Sequence, residues 1–198
     1  LVVVFGVGNR LRGDDAVGCI VCDEMRNSPP RHKDTEGSSA GSSIVHRPSS
    51  VPEETGTVPA SPALDDLGAL GGSSFGDSVF VLDCGSTPEN YIQPVADRNP
   101  TRILVVDCCD YGAKPGEFRL FSRPEIEQLS YGLLSTHTLP LTLTIEMLSL
   151  QTHATIELLG IQPERIGFGE SLSEPVQRAL PAVVEFVCNW AKAGTTAS

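Results

Sequence analysis

Basic residues are scarce in this sequence: 14 Lys and Arg stand against 25 Asp and Glu in 198 residues, a formal charge of −11, and nowhere do the basic ones cluster. A nucleic-acid footprint or an anionic membrane surface calls for a patch or stripe of Lys and Arg, so neither class of partner is expected. Long apolar runs are missing too. The longest, residues 1–5 and 103–106, fall far short of the roughly 20 residues a membrane-spanning helix needs, and no membrane insertion is expected.

Several catalytic signatures are also absent or out of place. Gly-x-Ser-x-Gly occurs only within the Ser-rich stretch 27–78, where no predicted strand leads into it as a nucleophile elbow requires, and there is no His-Glu-x-x-His pair. The six cysteines do not form a secreted framework: Cys108 and Cys109 are adjacent beside a predicted strand, and Cys19 and Cys22 lie one turn apart on an apolar helix face. They are expected to be reduced thiols packed as small hydrophobes. Cys19-x-x-Cys22 lacks a second pair at zinc-site spacing. The chain starts at Leu1 and not Met, which leaves a removed leader open; the expected location is cytoplasmic.

What is present suffices for one well-packed domain of α/β class. Residues 1–7 read as a buried strand, followed by a glycine-bracketed loop and a helix over about 15–26. Residues 27–78 change character abruptly, being loaded with Ser, Pro, Gly and Thr. Too little of this stretch is apolar to offset the entropy of ordering it, so it reads as a mostly disordered insertion, with 62–70 alone suited to a short helix. Order is expected to resume with a strand at 79–83, a helix at 88–98 and a strand at 103–107. The unbroken aliphatic run of that last strand is what a parallel sheet covered on both faces looks like. An edge strand is expected at 117–121, a short helix from 122 and a strand at 155–160; residues 139–150 are ambiguous, since they alternate like a strand yet also fit one helical face, and Thr138 as N-cap, Pro140 just inside and the length favour a helix. A final helix runs from Ser173 to about Ala193, with a kink or break at Pro181. Strands alternating with helices predict a layered α/β fold.

In such sheets the functional crevice lies outside the carboxyl ends of the strands. Asp14 or Asp15 follows the first strand, Asp107 ends the third, and His137 precedes a helix. Two carboxylates and an imidazole make an N/O site suited to a borderline divalent metal such as nickel or zinc. Adjacent Asp14 and Asp15 cannot both face one crevice, so one of them is expected to be a cap or loop anchor. Asp83 and Asp110 compete with Asp107 for the functional role, while His32, His46 and His153 sit in polar contexts and are expected to be solvated. Gly6-x-Gly8 after a strand suggests a dinucleotide loop. However, Leu11 stands where the third glycine belongs, and the following aspartates repel phosphate.

Taken together, Gly6-Val-Gly-Asn-Arg-Leu-Arg-Gly-Asp-Asp-Ala-Val-Gly18, Asp83-Cys-Gly-Ser-Thr-Pro-Glu-Asn90, Val106-Asp-Cys-Cys-Asp-Tyr-Gly112 with Pro115-Gly-Glu117, Ser135-Thr-His-Thr-Leu-Pro-Leu141 and Gly160-Ile-Gln-Pro163 resemble the [NiFe]-hydrogenase maturation endopeptidases, above all the hydrogenase 3 (formate hydrogenlyase) type. The resemblance spans 1–26 and 79 to about 190. It implies a three-layer αβα fold with a mostly parallel sheet of about five strands, forming a single peptidase domain over 1–198 interrupted by 27–78. It also implies removal of a C-terminal peptide from the hydrogenase large-subunit precursor after nickel insertion, in the aspartic-type peptidase class. The family's catalytic and metal-binding positions fall on Asp15, Asp107 and His137, and substrate contacts are expected at Asn9 and Gly85. Nickel would arrive with the precursor, and other divalent metals would also fit the site. The alternative is a metal-sensing chaperone that binds the same precursor without cutting it. The insertion departs from the family's short connection, and it is either a neutral loop or a segment that touches the precursor or shields the cleft.

Overall fold

The computed structural model describes residues 1–27, 78–129 and 141–195. Apart from its two end positions, the 27–78 insertion lies outside them, with its expected short helix, and so do His137 and the Thr138 cap. Five described strands form one sheet: β1 Val2–Gly6, β2 Val79–Asp83, β3 Arg102–Cys108, β4 Phe118–Phe121 and β5 Thr155–Ile161. Their spatial order is β2-β1-β3-β5-β4. All pairings are parallel except β4 with β5, so the antiparallel strand is confined to an edge.

The helices are α1 Val17–Asn27, α2 Ile92–Ala96, α3 Arg123–Leu129, α4 Leu141–Gln151 and α5 Glu174–Thr195. Because successive strand side chains face opposite ways, β1 divides its residues between two cores. Val3, Phe5 and Val7 pack with Ile92, Val95, Ile126, Leu141, Ile145 and Leu148 from α2, α3 and α4. Val2 and Val4 pack on the other face with Val17, Val21, Met25, Val183, Val187 and Trp190 from α1 and α5. This is a three-layer αβα arrangement. The wholly buried β1, and β3 buried from Ile103 to Asp107, account for the unbroken aliphatic runs in the sequence.

In α4, Leu141, Thr144, Ile145 and Leu148 are buried, a three-and-four spacing that settles the ambiguous segment as a helix. The helix after β2 opens with a 3₁₀ turn at Pro88–Tyr91, and beyond it Asn99 takes φ +47 just before Pro100. The expected break at Pro181 does not occur, since α5 runs from Glu174 to Thr195 through it. Pro181 is exposed, so the carbonyl it deprives of an amide partner is on the solvent side, where water can satisfy it.

Candidate active site

β1 has β2 on one side and β3 on the other, and the helices that follow β1 and β3 lie on opposite faces of the sheet. The carboxyl ends of β1 and β3 therefore flank a topological switch point, where open α/β sheets form their crevice. The pairing continues past the strand end, as the Val7 N–H donates to Val106 O at 2.9 Å. α1 packs directly on this end. A Cβ on Gly18 would lie 2.2 Å from Val7 O and 2.3 Å from Val106 O, so only glycine permits the approach.

The loop between β1 and α1 is folded tightly on itself. Gly8 has φ +150, and a Cβ there would lie 1.9 Å from Asp15 O. Asn9 braces the loop: its N–H donates to Asp15 O at 3.1 Å, and its side-chain Oδ1 accepts the Leu11 N–H at 3.0 Å. On the β2 side, Gly8 N–H donates to Gly85 O at 2.9 Å, while Gly85, at φ +55, would carry a Cβ into open space. The expected substrate-contact positions Asn9 and Gly85 thus lie on two neighbouring loops joined by this bond.

Two clamps hold this loop from opposite sides. On one, Arg10 bridges Asp23 at 2.6 Å and Asp83 at 2.5 Å. Burial works against Asp83 ionising, but hydrogen bonds from Arg10, Cys19 and the Gly85 amide outweigh it, and its carboxyl is held below the ordinary range. On the other, Asp14 is fully buried and accepts from Glu164 N at 2.8 Å, Arg165 N at 3.1 Å, Ser173 N at 2.6 Å and Ser173 Oγ at 2.8 Å. Of the two adjacent aspartates, Asp14 is the loop anchor.

Asp15 lies in the 3₁₀ turn Gly13–Ala16 that leads into α1, and Asp107 is the penultimate residue of β3. They are 1% and 3% exposed. Both reach the same two cysteines. Burial, then Asp107, then neighbouring acids including Asp15 push the Cys108 and Cys109 thiols upward, which keeps these thiols protonated. Asp83 and Asp110, the competing carboxylates, are otherwise engaged. Asp110 is exposed and accepts from Gln162 Nε2 at 2.9 Å and Gly112 N at 3.2 Å, and these bonds lower its carboxyl. His153 is exposed, as expected. All six cysteines are free thiols. Among the described residues no three His, Cys, Asp or Glu side chains are grouped to hold a metal ion; His137, the third of the expected set, is outside them.

Three residues that shape the site had no role assigned from the sequence. Gln162 is buried and its Oε1 accepts from Tyr111 N at 3.0 Å and Ala113 N at 3.1 Å, fixing the loop after β3. A polar residue directly continuing the buried run of β5 was the available signal. Ser173 and Arg10 act across 159 and 73 residues of chain, separations that no local pattern encodes.

The HycI hydrogenase maturation protease family profile matches residues 71–190. The hydrogenase 3 maturation protease of Escherichia coli K12 is 35% identical over 110 residues, covering 56% of this chain and 69% of that protein. Among solved structures, the [NiFe] hydrogenase maturation protease HycI from Thermococcus kodakarensis KOD1 superposes with TM-score 0.64 at 26% identity, over 96% of this chain and 92% of that one. The E. coli hydrogenase maturating endopeptidase HybD shares the fold, with TM-score 0.62 at 18% identity over 94% of this chain and 88% of its own. No described helix is long and apolar enough to cross a membrane. With the family profile covering more than half of it, the chain belongs to the hydrogenase maturation proteases.

Proposed function

We propose that this protein is the endopeptidase that removes the C-terminal peptide of a [NiFe]-hydrogenase large-subunit precursor once nickel is in place, with Asp15, Asp107 and His137 reading the precursor's nickel. The observation that carries the reading is the burial of two acidic side chains, Asp15 and Asp107, at the β1/β3 switch point. Buried carboxylates repel one another and are costly to desolvate; a site that is to meet a cation has a use for that arrangement. Family membership supports the protease activity.

In this reading nickel is cargo of the substrate. The three side chains recognise it and so admit only a loaded precursor, whose tail docks with the scissile carbonyl beside the metal. A water then attacks, with the carbonyl polarised by the substrate's metal or the water deprotonated by one of the carboxylates. Asn9 and Gly85 border the path of the tail, and the chain acts as one peptidase domain with 27–78 set into it, in the cytoplasm. The test is mass spectrometry of nickel-loaded and nickel-free precursor incubated with the protein. Release of a C-terminal peptide from the loaded form alone is expected. Binding of the loaded precursor without release would replace this reading with the chaperone one.

A further inference from the structure

The turn that carries Asp15 is intrinsically weak. It is one 3₁₀ turn of four residues, and Arg12, at its N-cap, makes no side-chain capping bond. 3₁₀ turns have poor hydrogen-bond geometry and depend on their surroundings to persist. Here the surroundings are a second irregular segment, residues 162–173, which follows β5 and belongs to no strand or helix.

The two segments are sewn together. Gly13 N–H donates to Glu170 O at 3.1 Å, Asp14 N–H to Arg165 O at 3.1 Å and Gly169 N–H to Leu11 O at 2.7 Å. At the centre lies the Asp14 carboxylate. Its Oδ2 accepts from Glu164 N, Arg165 N and Ser173 Oγ, and its Oδ1 accepts from Ser173 N at 2.6 Å. A carboxylate is the one side-chain group of this size that accepts at both oxygens and donates at neither. An asparagine in its place turns an NH₂ towards donors, and an alanine abandons all four.

We propose that Asp14 is a positioning residue for the reaction: through this clasp it fixes the Gly13–Ala16 turn and so sets where the neighbouring Asp15 carboxylate stands in the crevice. The inference rests on Asp15 being a substrate-contacting group, as proposed above. Asp15 is tied to the same turn at its backbone, where its N–H donates to Arg12 O at 3.2 Å and its carbonyl accepts the Asn9 N–H. A shift of the clasp therefore reaches Asp15 through one peptide unit. Misplacement of a reacting group by about 1 Å can cost on the order of a hundredfold in rate.

The experiment compares Ser173→Ala, Asp14→Asn and Asp15→Asn with Glu157→Ala, a control that loosens the far end of the sheet. Processing of nickel-loaded precursor is followed below the unfolding temperature of each variant, and amide hydrogen exchange is followed at Asn9 and Asp15. Asp14→Asn is expected to lower kcat by roughly 10- to 100-fold with KM little changed, and to speed exchange at both amides. Ser173→Ala should do the same more weakly, and Glu157→Ala should do neither. Asp14→Asn with full kcat alongside an inactive Asp15→Asn overturns the inference, as does an equal loss of kcat in Glu157→Ala. Full processing by Asp15→Asn instead refutes the proposed site and the reaction role of Asp14 with it; the exchange measurement then decides whether the clasp fixes the turn.

Discussion

Near the amino edge of the sheet, Arg102 and Glu157 on neighbouring strands meet at 2.9 Å, the Trp190 indole N–H donates to the same carboxylate at 2.9 Å, and the Arg102 guanidinium lies 4.1 Å over the indole ring. At the carboxyl edge three acids, Asp14, Asp15 and Asp107, are buried within one loop connection and a strand end. The amino edge answers charge with opposite charge and packing, and the result is a closed cluster that serves stability. The carboxyl edge answers Asp14 with backbone amides and a hydroxyl, and brings Asp15 and Asp107 to the switch point. The contrast separates a cluster closed by an ion pair and ring packing from an edge at which three acids are gathered beside the switch point.

The largest effect is expected where the fold itself forms the crevice. Gly18→Val drives side-chain atoms into Val7 O and Val106 O, already within 2.3 Å of a single Cβ, and should destabilise the protein by about 3 kcal/mol, the upper end of the usual overpacking cost. Denaturant titration checks this. At the amino edge, Glu157→Ala strands both Arg102 and the Trp190 N–H in a partly buried setting and should cost about 2 kcal/mol. If the comparison is sound, the folded variant still processes precursor at the normal rate; a large loss of rate would erase the distinction between the two edges.

A third effect depends on pH. Burial pushes the Cys22 thiol up to about 12 from an ordinary 9.0. The folded value is raised, so the contribution is fully present below pH 9.0 and falls as pH rises towards 12, because only the unfolded chain ionises there. The slope is about 1.4 kcal/mol per pH unit for this thiol. Urea titrations at pH 8 and 10 should show a smaller alkaline loss in Cys22→Ala than in the parent.

The smallest effect belongs to the exposed clamp. Arg10→Met removes partly exposed ion pairs and should cost about 1 kcal/mol or less. Asp83 is held below its ordinary 3.8, so its contribution is present above that value and is lost as pH falls through the depressed one. Arg10→Met should therefore raise the pH at which acid unfolding begins.

Much of the fold was legible in the sequence, because buried parallel strands such as 103–107 must be aliphatic on both faces, and a helix such as 141–151 must repeat its apolar residues every three or four positions. Of the kink or break that Pro181 allowed, the break is absent, because proline's local rule describes an isolated helix. Here α5 is held from below by Val176, Val183 and Val187, while Pro181 faces solvent. At the site, strand-end logic pointed to Asp14 or Asp15 and to Asp107, the family resemblance singled out Asp15, and the divergence of neighbouring side chains foretold that one aspartate of the pair would be an anchor. What anchored it was not legible. The partners of Asp14 lie at 164, 165 and 173, about 150 residues further on, and hydrogen bonds across such separations leave no periodic trace.

Asp15 and Asp107 are proposed to serve the reaction and not the fold. The most direct test is Asp15→Asn and Asp107→Asn, each assayed for unfolding temperature and for release of the C-terminal peptide from nickel-loaded precursor. Near-parental unfolding temperatures are expected, with release slowed by roughly 10²- to 10⁴-fold. Parental rates of release from both variants would contradict the proposal.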